Sequence, residues 1–556
     1  METSQVPQKA PEVRPEDTIL MQKADPYTYG ADDKWLGDEP DITEQDILET
    51  LDADVVVVGA GLAGLCAARS AAEEGASVIL VEKSTHFNAR SGFYAVVGGR
   101  INEYFGRPAV DPDEVADRLM QECQYRSKRA ILSRWAKEAH AVFDWYIGLM
   151  PEMYIAKDSV TPVPADKGRF YLSPVDWPEQ EGYNYREEAF PSFPTSVVFT
   201  PGHAPLLKKT LAHCVDDLGV RAYFAHKAEK LELTEGSVSA VVVRDMKAGG
   251  YRRLRAAKGV ILATGDNAGN PEILKRFYPA LLKHGIPLTP MRTKDAEGNL
   301  INTGDGIIMG ARIGAKVQQY HAVMSHNMGL MFAGMGNTPF LFLNRHGKRF
   351  MNECVPGQQL EDQLELQPGH ILHQIFDDNW REQLPLMPPS HGGFCGYSKE
   401  PTGNHFDSIM DEPSFQKALQ SGAILKADTL EELLDKLDIN KETALASIAR
   451  YNELVHKGHD DDFNRPAARL FPVEQGPFYA STFGLSPMLA CIGGLESDED
   501  CHVYTESGDL LDGLYVAGNV QGCLYAGEYP ICVRGLSHST CMFYGYVAGK
   551  NAVNGR

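Results

Sequence analysis

The chain has 556 residues, of which 43% are hydrophobic and 23% charged, an ordinary globular composition long enough for two to four domains. A formal net charge of −22 makes nucleic acid and anionic membrane surfaces poor partners. No apolar run reaches the ~20 residues that span a bilayer, and METSQVPQKAPEVRPED carries no leader pattern, so a cytoplasmic protein is expected, or an exported one if a leader has been removed.

Residues 1–50 are polar, proline-bearing and aperiodic apart from 44–51, and are expected to form a surface arm. A buried strand over 55–58 then runs into Gly59, Gly61 and Gly64, the three glycine positions of a dinucleotide-binding turn. The first permits the tight turn, the second lets a pyrophosphate approach the backbone, and the third lets helix pack on strand. A helix over 62–74 points its N-terminal amides at the phosphate, and a strand over 77–81 delivers Glu82, an acceptor for ribose hydroxyls. Strand, glycines, helix, strand and acid in this order are far more specific than a lone glycine motif.

A helical region is predicted near 115–149. Residues 150–205 look irregular and rich in aromatics and prolines, a functional loop or covering flap. Residues 202–218 read as helix, and 228–233 and 238–244 as antiparallel strands turning at Glu235-Gly236. An apolar strand over 259–263 leads into Thr264-Gly265-Asp266, and Asn302-Thr303-Gly304-Asp305-Gly306 precedes a helix through Gly314. Polar helices over 429–437 and 441–457 suggest a separate lid, and the chain closes with a final helix over 537–551. Ten cysteines without a C-x-x-C pair read as small buried thiols, with no metal site expected; a cluster assembled from distant cysteines is the alternative.

The glycine turn, ILATGD (261–266), TGDGIIMGARIGA (303–315) and GLYVAGN (513–519) together resemble the fumarate reductase/succinate dehydrogenase flavoprotein superfamily. LFLNRHGKRFMNE (341–353), RYNELVHKGHDDDF (450–463) and GPFYA (476–480) are similar to its soluble branch, which includes flavin-dependent fumarate and urocanate reductases and 3-ketosteroid dehydrogenases. The resemblance runs from about residue 52 to the end. It implies an α/β fold: a Rossmann-like FAD-binding domain of the fumarate reductase type with an inserted α+β capping domain. The expected division is an arm (1–50), the first part of the FAD-binding domain (51–317), the substrate cap (318–480) and the C-terminal part (481–556).

Position by position, the resemblance implies Gly59, Gly61, Ala63 and Gly64 at the pyrophosphate, Glu82 at the adenosine ribose with Lys83 beside it, and Ala228 on the adenine side. Ser91, Gly98 and Gly99 would line the flavin, and Thr264, Gly265, Asp305 and Gly306 the ribityl and phosphate region. Gly518 and Asn519 follow, the asparagine standing where many relatives have glutamate, and Leu536 and Ser537 would approach the pyrimidine ring. Gly92 occupies the place of the flavin-linked histidine of covalent relatives, which implies non-covalent FAD. No second glycine motif follows a strand, so electrons are expected from an external donor or acceptor.

Departures from the family pattern bear on the substrate. The histidine-bearing dicarboxylate motif falls on Leu489-Ala490-Cys491-Ile492-Gly493-Gly494, the threonine-glutamate pair on Phe332-Ala333, and the proton-donating arginine on Gly357. A pocket lined by such groups does not compensate the desolvation of two carboxylates, so succinate and fumarate are poor candidates. The segment 518–539 instead resembles that of ketosteroid dehydrogenases, in which a tyrosine ten residues after the asparagine bonds the substrate carbonyl. Here it is Tyr529, followed by Pro530 as in flavin-dependent enoate reductases of anaerobic gut bacteria. Arg534 lies near the family's substrate arginine, with a surface ion pair as the alternative role. His326 falls at its substrate-side histidine, with His321 as a shifted competitor and a structural role equally open. Tyr525 and Glu528 flank the same loop.

The expected activity is FAD-dependent reduction of the C=C bond of a bulky, largely apolar enone or enoate, with Tyr529 and Arg534 polarising the carbonyl and His326 at the substrate side. Desaturation of a ketone on the same scaffold, a fumarate- or urocanate-type reduction, and a non-catalytic flavin-fold binding protein are the alternatives. The partners expected are a small-molecule substrate and an external redox partner.

Overall fold

Four consecutive valines cannot alternate between core and water, so the strand that holds them needs cover on both faces. A computed structural model describes residues 33–158, 161, 163–175, 183–279, 293–324, 334–389, 392–401, 409–485 and 489–555. Within it Val55, Val56 and Val57 have no solvent exposure at all. Eight strands make the largest sheet: β1 (Ile47–Val58), β2 (Val78–Glu82), β3 (Arg221–Phe224), β4 (His226–Thr234), β5 (Ser237–Asp245), β6 (Tyr251–Leu262), β7 (His502–Tyr504) and β8 (Leu510–Val516). Their order is β7-β8-β6-β1-β2-β3, with β5 paired to β6 and β4 to β5. Segments from both ends of the chain therefore share one sheet.

β6 is longer than the strand predicted at 259–263 because its two halves serve different neighbours. Residues 251–255 pair antiparallel with β5, residues 260–262 pair parallel with β8, and β1 runs parallel beside both halves. The same pairing draws residues 47–50 into β1, so the expected arm of 1–50 gives up its last four residues to the sheet. The β4–β5 hairpin turns at Glu235 and Gly236 as predicted. Both have positive φ (53° and 88°), the geometry that matches strand twist in tight hairpins.

The helix Leu62–Glu73 packs against the C-terminal helix Leu536–Asn554 through a stripe of small residues. A β-carbon at Gly545 would lie 2.4 Å from the Ala63 carbonyl oxygen, and one at Gly549 equally close to that of Ala67. Only glycine, four residues apart on one face, allows the two backbones this approach.

Residues 150–205 are more regular than their composition suggests. Tyr171–Pro174 and Ser196–Thr200 pair antiparallel, and Phe93–Ala95 and Tyr154–Ile155 complete a four-stranded sheet. The aromatics Tyr171, Tyr185, Phe193 and Phe199 are buried in the main core, with Phe170 stacked on Phe199 at 5.8 Å.

A second antiparallel sheet runs in the order Leu341–Asn344, Ile371–Phe376, Phe478–Gly484, Leu425–Ala427. The helix Lys441–Lys457 covers it with Ala444, Ile448 and Tyr451. Two sequence segments are fastened there by buried ion pairs. Arg349 bonds Glu353 Oε1 at 2.7 Å and Asp460 Oδ2 at 2.7 Å, and Arg465 reaches Glu353 Oε2 at 3.2 Å. Glu353 is wholly buried, so Glu353→Ala would strand the Arg465 guanidinium in the core and leave Arg349 with Asp460 alone. That variant should lose about 3–5 kcal/mol in urea-induced unfolding, whereas a double Glu353→Leu/Arg465→Met replacement should recover part of it.

Candidate active site

One large cavity opens where the carboxyl ends of β1, β2 and β6 meet the N-terminus of the C-terminal helix. In open α/β sheets ligands bind in the crevice outside such carboxyl ends. The three glycines of the first turn differ in what surrounds them. A β-carbon at Gly59, whose φ is 107°, would sit 2.4 Å from the Ala263 carbonyl oxygen, and one at Gly64 would collide with the Gly59 carbonyl at 1.7 Å. Gly61 has nothing within 4 Å and faces the cavity, so this backbone is open to a ligand.

Of the predicted cofactor residues, Gly59, Gly61, Ala63, Glu82 and Lys83 line this end. Glu82 accepts hydrogen bonds from the Ala60 and Ser84 amides, both at 2.8 Å, which fixes its carboxylate at the tip of β2. Lys83 donates to Asp305 Oδ2 at 2.7 Å and to Thr303 Oγ1 at 2.9 Å. Burial penalises the Asp305 charge more than any one neighbour favours it, yet Lys83, Lys227 and the Thr303 hydroxyl together hold its carboxyl below the usual range. Ala228, Thr264, Gly265 and Asp305 line the cavity further along, as do Ser91, Gly518, Asn519 and Ser537. Thr264 Oγ1 is buried there without a partner among the described residues.

Five predicted cofactor residues do not line the cavity. Gly64 and Gly306 pack behind it, the latter with room for no β-carbon against Thr264 Oγ1 at 2.3 Å. Gly98 and Gly99 start the helix Gly99–Tyr104, where a β-carbon at Gly99 would meet the His140 side chain at 2.7 Å. That corrects the expectation of a flavin contact: their positive φ serves a helix start. Leu536 is fully buried in the core, and its neighbour Ser537 faces the cavity instead.

At the opposite end Tyr529 and Arg534 both line the cavity. The Tyr529 hydroxyl accepts the Ser537 amide N–H at 2.9 Å, in the first turn of the C-terminal helix. Its ring meets Tyr525 edge-on at 4.9 Å, and burial pushes its phenol well above the ordinary range, so it stays protonated. An oxygen that receives an amide N–H at a positive helix end is a better proton donor through its own O–H. Arg534 is buried, which lowers its guanidinium to about 10, and it remains a cation at neutral pH. Around this pair stand Met324, Phe394, Leu489, Ala490, Ile531 and Val533, an apolar wall.

His326, together with Phe332 and Ala333, lies outside the described residues. His321 is a core histidine: it stacks on Phe277 at 4.2 Å, and burial lowers its imidazole to about 3. Tyr525 bonds Thr540 at 2.7 Å and is away from the cavity. Tyr185 and Phe193 lie in the core with Phe170 and Tyr183 packed against it, Phe190 is exposed, and none of the described aromatics of 168–193 lines the cavity as the expected flap would. Four of the late cysteines, Cys491, Cys501, Cys523 and Cys532, are buried as expected, while Cys541 lines the cavity. Sequence reasoning missed Arg90, which pairs with Asp266 at 3.1 Å on the cavity wall, and also His203, His226 and His538. The signal available for Arg90 and Asp266 was their place inside RSGFYAVVGG and ILATGD.

A sequence profile of the family described as "FAD binding domain" matches residues 54–536. Vinyl phenol reductase of Lactiplantibacillus plantarum is 26% identical, the alignment covering 90% of this chain and 95% of that protein. A 3-oxosteroid 1-dehydrogenase of Mycolicibacterium smegmatis is 27% identical over 89% of this chain and 96% of the relative. Among solved structures, the 3-ketosteroid-Δ4-(5α)-dehydrogenase of Rhodococcus jostii shares the fold, with a TM-score of 0.66 at 20% identity over 92% of this chain and 99% of that one.

The residues present fit FAD: an open glycine loop, an acid at the end of β2, and an orphaned Thr264 hydroxyl in the wall. Gly61→Val fills only open space and should therefore fold, yet purify without the yellow flavin spectrum. Gly64→Val should instead fail to yield folded protein, because its side chain meets backbone. Glu528, beside Tyr529 in sequence, is held up to about 8, first by burial and then by Asp362. The unfolded chain loses that proton near its ordinary value of 4.5, so the native state is penalised from there up to about pH 8. Glu528→Gln should accordingly raise the unfolding free energy at pH 7–8, by on the order of 3–5 kcal/mol, and leave it unchanged below pH 4, measured by urea-induced unfolding at each pH.

Proposed function

The chain belongs to the FAD-binding-domain family and is an FAD-dependent oxidoreductase acting on CH–CH or C=C groups, and on that premise we propose that it reduces the C=C bond of an α,β-unsaturated carbonyl compound of largely apolar character. The observation that carries this reading is Tyr529, a phenol fixed by the Ser537 amide at one end of an apolar cavity that also holds Arg534. Bound FAD supplies the hydride.

The protein's part is to bind, orient and polarise. Tyr529 donates its O–H to the substrate carbonyl oxygen, and Arg534 stabilises the negative charge that develops there; a neutral donor and a cation in an apolar wall act at full strength because little water competes. Tyr529 then gives its proton to the α-carbon or to the enolate oxygen, the helix amide at Ser537 supporting the phenol as it does so. Met324, Phe394, Leu489 and Ala490 replace polar contacts with apolar ones, which favours a hydrophobic enone or enoate over a dicarboxylate. His326 keeps its place in the proposal as a substrate-side histidine.

We read Gly59, Gly61, Ala63 and Glu82 as the pyrophosphate and ribose contacts, and Ser91, Thr264, Gly265, Asn519 and Ser537 as contacts along the cofactor. Gly92 supports non-covalent binding, since a β-carbon there would lie 2.6 Å from the Phe199 carbonyl oxygen and leaves no room for a linking histidine. Residues 318–480, with the second sheet, are read as the cap, whose Phe394 closes the substrate end. Electrons come from an external donor. No helix among the described residues is long and apolar enough to cross a membrane.

Desaturation of a saturated ketone is the second reading, favoured by the likeness to a 3-oxosteroid 1-dehydrogenase. Anaerobic mixing of the reduced protein with a panel of enones, enoates and dicarboxylates separates the two. Apolar enones or enoates should reoxidise the flavin fast and fumarate slowly; rapid reoxidation by fumarate, or by nothing in the panel, refutes the reading. Tyr529→Phe should keep its flavin and lose about 10²-fold in kcat, measured in the same assay.

A further inference from the structure

Two histidines that the proposed chemistry does not use share one wall of the cavity. His203 precedes the helix Ala204–Ala212 and is 1% exposed; His538 sits in the first turn of the C-terminal helix, next to the Ser537 amide that holds Tyr529. Their rings lie 4.9 Å apart, with Tyr94 stacked on His538 at 5.6 Å. Each has one nitrogen committed. His203 Nδ1 is 2.6 Å from the Tyr94 hydroxyl, and His538 Nδ1 is 2.9 Å from the Phe93 carbonyl oxygen. A carbonyl only accepts, so neutral His538 carries its hydrogen on Nδ1, and a second backbone hydrogen bond, to Arg90, also favours the protonated ring. His203 Nε2 is buried without a partner among the described residues, although its ring lines the cavity. An orphaned nitrogen on a histidine whose other edge is fully bonded needs a role.

Saturating a C=C bond consumes two electrons and two protons. The hydride accounts for both electrons and one proton, which leaves one proton to be held in the site or drawn from outside. We propose that His203 and His538 together hold that second proton, taking it up on Nε2 when an external two-electron donor reduces the bound cofactor and releasing it as the substrate is protonated. This rests on the reductive reading of the site.

The surroundings suit an occupancy that depends on charge in the cavity. Burial lowers His538 to about 4 and His203 well below its ordinary range, so both are neutral while the cofactor is oxidised. The groups facing them are the phenol of Tyr94, pushed up and uncharged and itself beside Tyr146, and the Arg90 cation, paired with Asp266. The two imidazoles are too close for both to be charged, which limits the pair to one proton. Electrons arriving in the cavity supply the negative charge that makes that protonation favourable.

The test is a redox titration of the FAD-loaded protein with mediators, repeated from about pH 6 to pH 9. The dependence of midpoint potential on pH should correspond to two protons per two electrons in the wild type and to one in the yellow, folded double variant His203→Gln/His538→Gln. A double variant that keeps the wild-type slope, or a wild type that takes up one proton throughout, overturns the proposal. If the double variant loses FAD, His538→Gln alone decides: its slope should fall below the wild-type one toward one proton per two electrons within pH 6 to pH 9, and an unchanged slope overturns the pair. Failure of every enone and enoate to reoxidise the wild type would instead sink the reductive reading and leave the proton count standing.

Discussion

The backbone contact between the first helix of the nucleotide unit and the last helix of the chain governs this site. Gly545 and Gly549 let the C-terminal helix lie directly on Ala63 and Ala67, and that docking carries the helix N-terminus into the cavity formed by the glycine turn. Ser537 is thereby presented to Tyr529, and His538 to Phe93. Residues nearly five hundred positions apart are aligned on one cavity by two missing β-carbons.

The chemistry assigned to Tyr529 depends on that helix end. An isolated buried phenol is a poor acid, and burial alone pushes Tyr529 further that way. The amide N–H it accepts acts in the opposite sense whenever negative charge grows on its oxygen, since the helix terminus favours anions. A residue that is inert at rest thus becomes a competent donor at the moment a carbonyl oxygen develops charge. Arg534, kept cationic in an apolar wall, adds to the same field.

The cap side shows a contrast in how polar groups are used. In the second sheet the charges of Arg349, Glu353, Asp460 and Arg465 neutralise one another and fasten two conspicuous sequence segments. Their role is tertiary registration, and none of the four lines the cavity. Leu489 and Ala490, by comparison, face the cavity and carry no charge. Buried charge there fastens chain segments to one another, whereas at the cavity Arg534 stands in an otherwise apolar wall.

The amino-acid sequence by itself determined the nucleotide unit, because its signals are local: buried valines, glycines at fixed offsets and Glu82 at a strand end all follow from short-range sterics. The resemblance to the ketosteroid dehydrogenase segment, counted from Asn519, pointed to Tyr529, while Arg534 was legible only as lying near that family's substrate arginine, with a surface ion pair equally open. Tertiary structure alone decided what depends on side chains meeting across the chain. Gly98 and Gly99 turned out to start a helix beside His140, Leu536 went to the core while Ser537 faced the cavity, and Tyr185 and Phe193 went to the interior. His203 and His538 carry no local signature, since neither is distinguished by its neighbours in sequence; only the meeting of a strand, a helix start and the last helix gives them a common wall.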